Sequence, residues 1–423
     1  MFQTIVNAFK IKEVRKKILI TIALLFVYRL GCYIPVPGVD MFAGLQEYNF
    51  LQVMSAVSGG ALQYGTFFAM GIGPYINASI IIQLLSVGIP ALERLSKQGE
   101  EGKRRINTYT RILTLVLAVA QAIGILVGFS GSVKTERIFG NEGFANVLSY
   151  IFLVIVYTSG ATLTMWIGER ITDYGISNGI SLLIFAGILA TAGTSIINLF
   201  TNWNDTSVWV IVGFVVATII IFGAIVYVNS AERKISVQYA KQVKGRKMYG
   251  GQSTHIPIKI NASGVMPLIF AFSILSFPDL IINLLGVQSN WYTENMGTGS
   301  WVYMVVLCLL ILAFSYFYNS IQFNPDDISK SIQQNGGFIP GTRPGKPTAD
   351  YLRRVSKRMT LFGAIFLALL ALIPSAIFKG IGGEGLMNVF SATGLLIIVS
   401  VALEFEQALQ SQIMMKNYKG FLK

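Results

Sequence analysis

The chain has 423 residues, 53% hydrophobic and only 13% charged, with a formal net charge of +13. A mean hydropathy of +0.61 excludes an ordinary soluble domain. Repeated apolar runs of about 20 residues fit helices crossing hydrocarbon and exclude a barrel, whose strands are about half that length and alternate in polarity.

Phe2, Ile5, Val6 and Phe9 recur at helical spacing ahead of Lys10, Lys12, Arg15, Lys16 and Lys17. Residues 1–17 therefore predict an amphipathic basic segment in the headgroup layer, expected to be retained rather than cleaved. Ten spans are expected near 18–34, 67–88, 111–129, 146–167, 179–200, 208–229, 263–285, 301–321, 359–378 and 389–409, followed by a tail over 410–423. With the N-terminus inside, about 29 of the 33 Lys and Arg fall on the cytoplasmic side, and the outer loops hold only Lys134, Arg137 and Lys379. An even span number puts both termini in the cytoplasm.

The stretch Ser58–Leu85 is the least like a simple anchor. Gly59, Gly60, Gly71, Gly73 and Pro74 interrupt it, and Asn77, Ser79 and Gln83 place polar groups at bilayer depth. Such features persist only beside protein or a water-filled cavity, so an internal pathway is expected here. Ten helices divide into a first half, 18–200, and a second, 201–409. An odd number per half inverts one against the other, as in many transport proteins.

Two cytoplasmic loops, 230–262 and 322–358, each carry seven Lys and Arg. Basic residues beside inner-leaflet lipid often do no more than fix topology. These loops are longer than a connection needs and hold turn residues and aromatics, which points to structured projections for an acidic or RNA-rich partner.

Catalytic parts are scarce. Cys32 and Cys308 both sit in apolar runs, which argues against a disulfide framework or thiolate metal cluster. His255 is the single histidine, too few for a His-based zinc site or a Ser–His–Asp triad. The run from Gly341 to Thr348 has proline at position 340 and Pro347 where a phosphate loop needs glycine and a hydroxyl, so no nucleotide site is expected. Acids such as Asp279 and Glu404 fall toward span ends, which weighs against an ion-coupled small-solute carrier, the alternative that composition and topology alone would favour. Arg29, deep in the first span, is accounted for by snorkelling or by pairing with a neighbouring helix.

Isoleucine recurs just inside helix starts broken by Gly or Pro. Ile76 and Ile80 share a face, as do Ile180 and Ile184, while Ile269 follows Pro267 and Ile397 follows Gly394. Periodicity alone reads as ordinary packing and does not say that they converge.

At these residues a resemblance emerges. GIGPYINASIIIQLL, WIGERITDYGISNGISLLIFAGI, QYAKQVKGRKMYGGQSTHIP leading into NASGVMPLIFA, and FNPDDISKSIQQNGGFIPGTRPGKPTADYL closely resemble the SecY family, the central subunits of the bacterial protein-conducting channel, over essentially the whole chain. The resemblance implies an all-α membrane protein of ten helices in two inverted five-helix halves around an hourglass pore. It makes Ile76, Ile80, Ile180, Ile184, Ile269 and Ile397 the constriction. It makes about 50–66 the plug, with the small residues Ser55, Ala56, Ser58, Gly59, Gly60 and Ala61. Gln83 would lie on a lateral gate between spans two and three and spans seven and eight. Arg233, Lys234, Arg246, Lys247, Arg343 and Lys346 would dock the SecA motor or the ribosome, through ribosomal RNA and protein. The resemblance further implies SecE-like and SecG-like subunits, signal sequences and nascent chains as substrates, a bacterial plasma-membrane location, no cofactor and no enzymatic step of its own.

Overall fold

In the computed structural model the described residues are 2–42, 55, 58–96, 98–140, 142–201, 208–239, 242–244, 247–249, 253–261, 264–285, 295–296, 300–381 and 392–420. After the short α1 (Phe2–Lys10), ten helices fall on the ten expected spans: α2 (Lys12–Gly31), α3 (Gly73–Gly88), α5 (Glu100–Gly128), α6 (Gly143–Tyr174), α7 (Gly179–Thr201), α8 (Val208–Ser230), α9 (Met266–Leu285), α10 (Trp301–Gln322), α12 (Lys346–Ile381) and α13 (Ala392–Gly420). Two shorter helices, α4 (Pro90–Ser96) and α11 (Pro325–Gln334), lie between spans. Among the described residues five helices are long and apolar enough to cross a membrane, and a sixth is added if α3 and α4, bent by 107°, form one span.

Helix starts follow local chemistry. Gly71 turns the chain at φ +51°, which a side chain disfavours, and Pro74 then occupies the first turn of α3, where its missing N–H costs nothing. Ser300 caps α10 by accepting from the Tyr303 N–H at 3.2 Å. Asn324 caps α11 by accepting from the Asp326 N–H at 3.2 Å.

Helix ends depart from the expected spans where polar turns continue a helix beyond the membrane. α12 begins 13 residues before the expected span because Pro347 lies in its first turn rather than breaking it. About two thirds of the loop over 322–358 is therefore helix.

The five spans of each half pack in the same pattern. In the first half α3 meets α5, α5 meets α6, α6 meets α7, and α2 lies against α6 and α7. In the second half α9, α10, α12 and α13 form the same series, with α8 against α12 and α13. The halves meet principally where α7 packs on α13 and α5 on α9.

One exception to the all-helical expectation is a small sheet in the basic loops. β1 (Glu232–Tyr239) pairs antiparallel with β4 (Ser253–Lys259), placing Arg233 opposite Ile258, and with β5 (Gly337–Phe338) on its other edge. β2 (Gln242–Lys244) and β3 (Lys247–Tyr249) make a separate hairpin. Ile235 and Val237 alternate with exposed Lys234 and Ser236, the period-two pattern of a half-buried strand.

Candidate pore and docking surface

All six isoleucines belong to one hydrophobic cluster. Ile80, Ile184 and Ile397 are buried, while Ile76, Ile180 and Ile269 are partly buried and packed against it. They come from α3, α7, α9 and α13, so both halves contribute. Ile180 also leans on α6, its Cγ1 3.3 Å from the place a methyl group on Gly168 would take. That cluster is the main core of the bundle and also holds residues of α2, α6, α8, α10 and α12, so its assembly depends on long-range packing, which the i,i+4 spacing within each helix does not encode.

Ser55 and residues 58–66 pack into the bundle beside this cluster. The Gly60 N–H donates to the Ser55 carbonyl at 2.8 Å, and the Ser58 hydroxyl donates to the same carbonyl at 3.1 Å. Ala61 enters the cluster of the isoleucines, whereas Leu62 enters a second cluster built with Val36, Phe42 and residues of α5 and α6. The Cys32 thiol, just past the end of α2, donates to the Ser58 carbonyl at 3.6 Å. Gly59 and Gly60 adopt φ +70° and +84°. Of the plug expected over 50–66, residues 50–54, Ala56 and Val57 lie outside the described residues.

Gln83 of α3 and Gln322 are the polar side chains beside the Tyr318 hydroxyl of α10, while the contact between the halves on this side is that of α5 with α9.

On the basic face the two long loops form one body. Ile235, Val237 and Ile258 of the first loop share a core with Ile332, Ile339 and Leu352 of the second. Arg233, Lys234, Arg343 and Lys346 are exposed on it. Lys234 is 3.4 Å from Glu232. The Arg343 tip is held from beneath, since the Thr348 hydroxyl donates to the Arg343 carbonyl at 2.8 Å and the Ser329 hydroxyl to the Gly345 carbonyl at 2.7 Å. A fixed loop presents a guanidinium without the ordering cost of a floppy one. Lys247 lies on β3 opposite Lys244, and Arg246 lies outside the described residues.

The body is wired to the bundle by amides. Asn229 Nδ2 donates to the Ser400 hydroxyl at 2.8 Å, and Asn261 Nδ2 donates to Asn229 Oδ1 at 2.9 Å. Ser400 is one turn from Ile397. The sequence did not point to this link, since Asn229 stands at the end of an apolar span, Asn261 lies in a loop, and nothing in either run records the other.

At the opposite face Asp40 pairs with Lys134 at 2.5 Å and with Arg137 at 3.0 Å. Lys134's hydrogen bond, with Arg137's charge beside it, holds this carboxyl below its ordinary range. Among the described residues no three His, Cys, Asp or Glu side chains gather to hold a metal ion.

A family model described as SecY matches residues 66–406. A protein translocase subunit SecY from Streptomyces griseus is 40% identical over 443 residues, covering all of both chains. Its counterpart from Corynebacterium glutamicum is 40% identical over 445 residues, covering 99% of each. A solved protein-conducting channel superposes with a TM-score of 0.67 at 22% identity, over 94% of this chain and 92% of that one. Sec61 in a canine ribosome–channel complex gives 0.62 at 19% identity, with the same coverages.

Proposed function

The chain belongs to the SecY family of protein translocase subunits, and from that premise we propose that it passes unfolded secretory proteins across the bacterial plasma membrane and releases transmembrane segments sideways into lipid. It is a multi-pass membrane protein and a protein-conducting channel. The observation that supports this reading is that Ile76, Ile80, Ile180, Ile184, Ile269 and Ile397 all belong to or pack against the main apolar core, to which both halves contribute. An apolar neck holds water and ions poorly yet yields to a polypeptide of varied side chains, so it seals by dewetting. The segment around Ser55–Thr66 acts as the plug beside that neck.

Sideways release uses the seam between the halves. A bridge of hydroxyl and amide, Tyr318 to Gln83, is strong enough to hold the seam and weak enough to exchange for an arriving signal helix. The channel has no catalytic step of its own, and the push comes from the SecA motor or from ribosomal synthesis. Both would dock on the fused basic body through Arg233, Lys234, Arg246, Lys247, Arg343 and Lys346. The solved ribosome-bound relative supports a ribosomal partner. SecE-like and SecG-like subunits complete the complex, and the one-sided Lys and Arg count favours cytoplasmic termini.

The test is reconstitution of the chain with its small partner subunits. A secretory precursor should enter vesicles only when SecA and ATP are both supplied. Entry without them, or none with them, overturns the reading.

A further inference from the structure

One cation is used by nothing described so far. Arg29 stands in the last turn of α2, where Nη2 reaches the Tyr33 hydroxyl at 3.4 Å and the guanidinium carbon lies 5.5 Å from that ring's centre. Its Nη1 points the other way, is buried, and has no hydrogen-bond partner. It fills the place a methyl group on Gly59 would take, with the Gly187 backbone of α7 3.2 Å from that same place. Just past the end of α2, Cys32 is buried against the Ser58 carbonyl. The turn Ser58–Gly60 thus rests on Arg29 of α2 and on Cys32 just past that helix's end.

A cationic nitrogen stripped of water and given no acceptor raises the free energy of the state that buries it. Here that state is the seated plug, because Gly59 covers Nη1. When the turn withdraws, Nη1 regains water and the cost disappears. We propose that Arg29 is a positioning residue that biases the plug toward leaving, a built-in penalty that keeps the seal displaceable by a substrate. The absence of a side chain at Gly59 lets the turn close over the guanidinium, so closure is set by shape while the charge works against it. This inference rests on the reading of Ser55–Thr66 as the plug.

Cys32 reports on the outcome, since the seated turn covers its thiol. In a Cys308→Ser background of the reconstituted complex, the labelling rate of Cys32 by a small thiol reagent measures how often the plug is away. Arg29→Met, which keeps length but removes charge, should slow labelling by about five-fold or more and slow precursor transport, while Arg29→Lys should restore part of both. Slower labelling is a change that general destabilisation does not produce, because a loosened fold exposes the thiol. Faster labelling would make Arg29 a latch and overturn the proposal, as would an unchanged rate. Deleting residues 56–61 separates the two readings. If that deletion leaves Cys32 protected, the plug assignment fails; if it exposes Cys32 while Arg29→Met does nothing, only the role of Arg29 fails.

Discussion

Replacing Leu352 with Ala tests whether the two basic loops form one folding unit. Leu352 is fully buried among Ile235, Val237, Ile258, Ile332 and Ile339. Truncating a buried leucine costs about 2–5 kcal/mol, and a core this small has few neighbours to collapse into the void. At about 1.4 kcal/mol per tenfold, local opening should become about thirty-fold to several-thousand-fold more frequent. Hydrogen exchange followed by mass spectrometry reads this directly. The informative peptide is β1, which is more than 100 residues from the substitution in sequence. It should lose protection in step with α11 and β5, while α5 and α6, in a separate cluster, keep theirs. If β1 retains its protection while the second loop opens, the loops fold independently and the shared core is wrong.

Asp40 supplies a pH dependence. Its carboxyl is held below the ordinary value, so its stabilising pairs are fully present above the unfolded value of about 4 and are lost as pH falls through the folded one. Exchange at 36–40 and 132–138 should therefore rise below about pH 4, and Asp40→Asn should remove that response. Tyr318→Phe removes the hydroxyl beside Gln83; if the two hold the proposed gate, a hydrogen bond worth about 0.5–1.5 kcal/mol net corresponds to about two- to twelve-fold easier opening. Weakly hydrophobic signal sequences should then be accepted more readily, and unchanged acceptance would detach Gln83 from the gate. Arg343→Glu should weaken SecA-driven transport while leaving membrane insertion and assembly intact, read by precursor protection in vesicles against recovered complex; equal transport would remove Arg343 from the docking surface.

The ten helices were legible because each apolar run is long enough to declare itself, and five or six of them are long and apolar enough to cross a membrane among the described residues. Sheet pairing between the basic loops was not, since β1 meets β5 across about 100 residues and neither loop records the other. The start of α12 was hidden for a local reason, as Pro347 reads as a break unless it stands in the first turn. Lys134 and Arg137 looked like isolated outer cations, yet both close on Asp40. Arg29 was visible as a charge in an apolar run, and snorkelling describes only the half of its guanidinium that reaches Tyr33. The other half faces Gly59, a contact that only the folded chain creates. Within α3 and α7 the isoleucine spacing was plain, whereas the packing of α7 on α13 was not.

Ion conductance of the resting complex in planar bilayers bears most directly on the seal. Ile184 and Ile397 are each about 5% exposed, and fully burying such a side chain is worth about 1.5–3 kcal/mol, several times the thermal energy, so exchanging both for serine should make the proposed neck far easier to wet. Ile184→Ser with Ile397→Ser should leak ions at rest, while Ile184→Val with Ile397→Val should stay tight. A serine pair as tight as the parent would show that these isoleucines pack the bundle without sealing it.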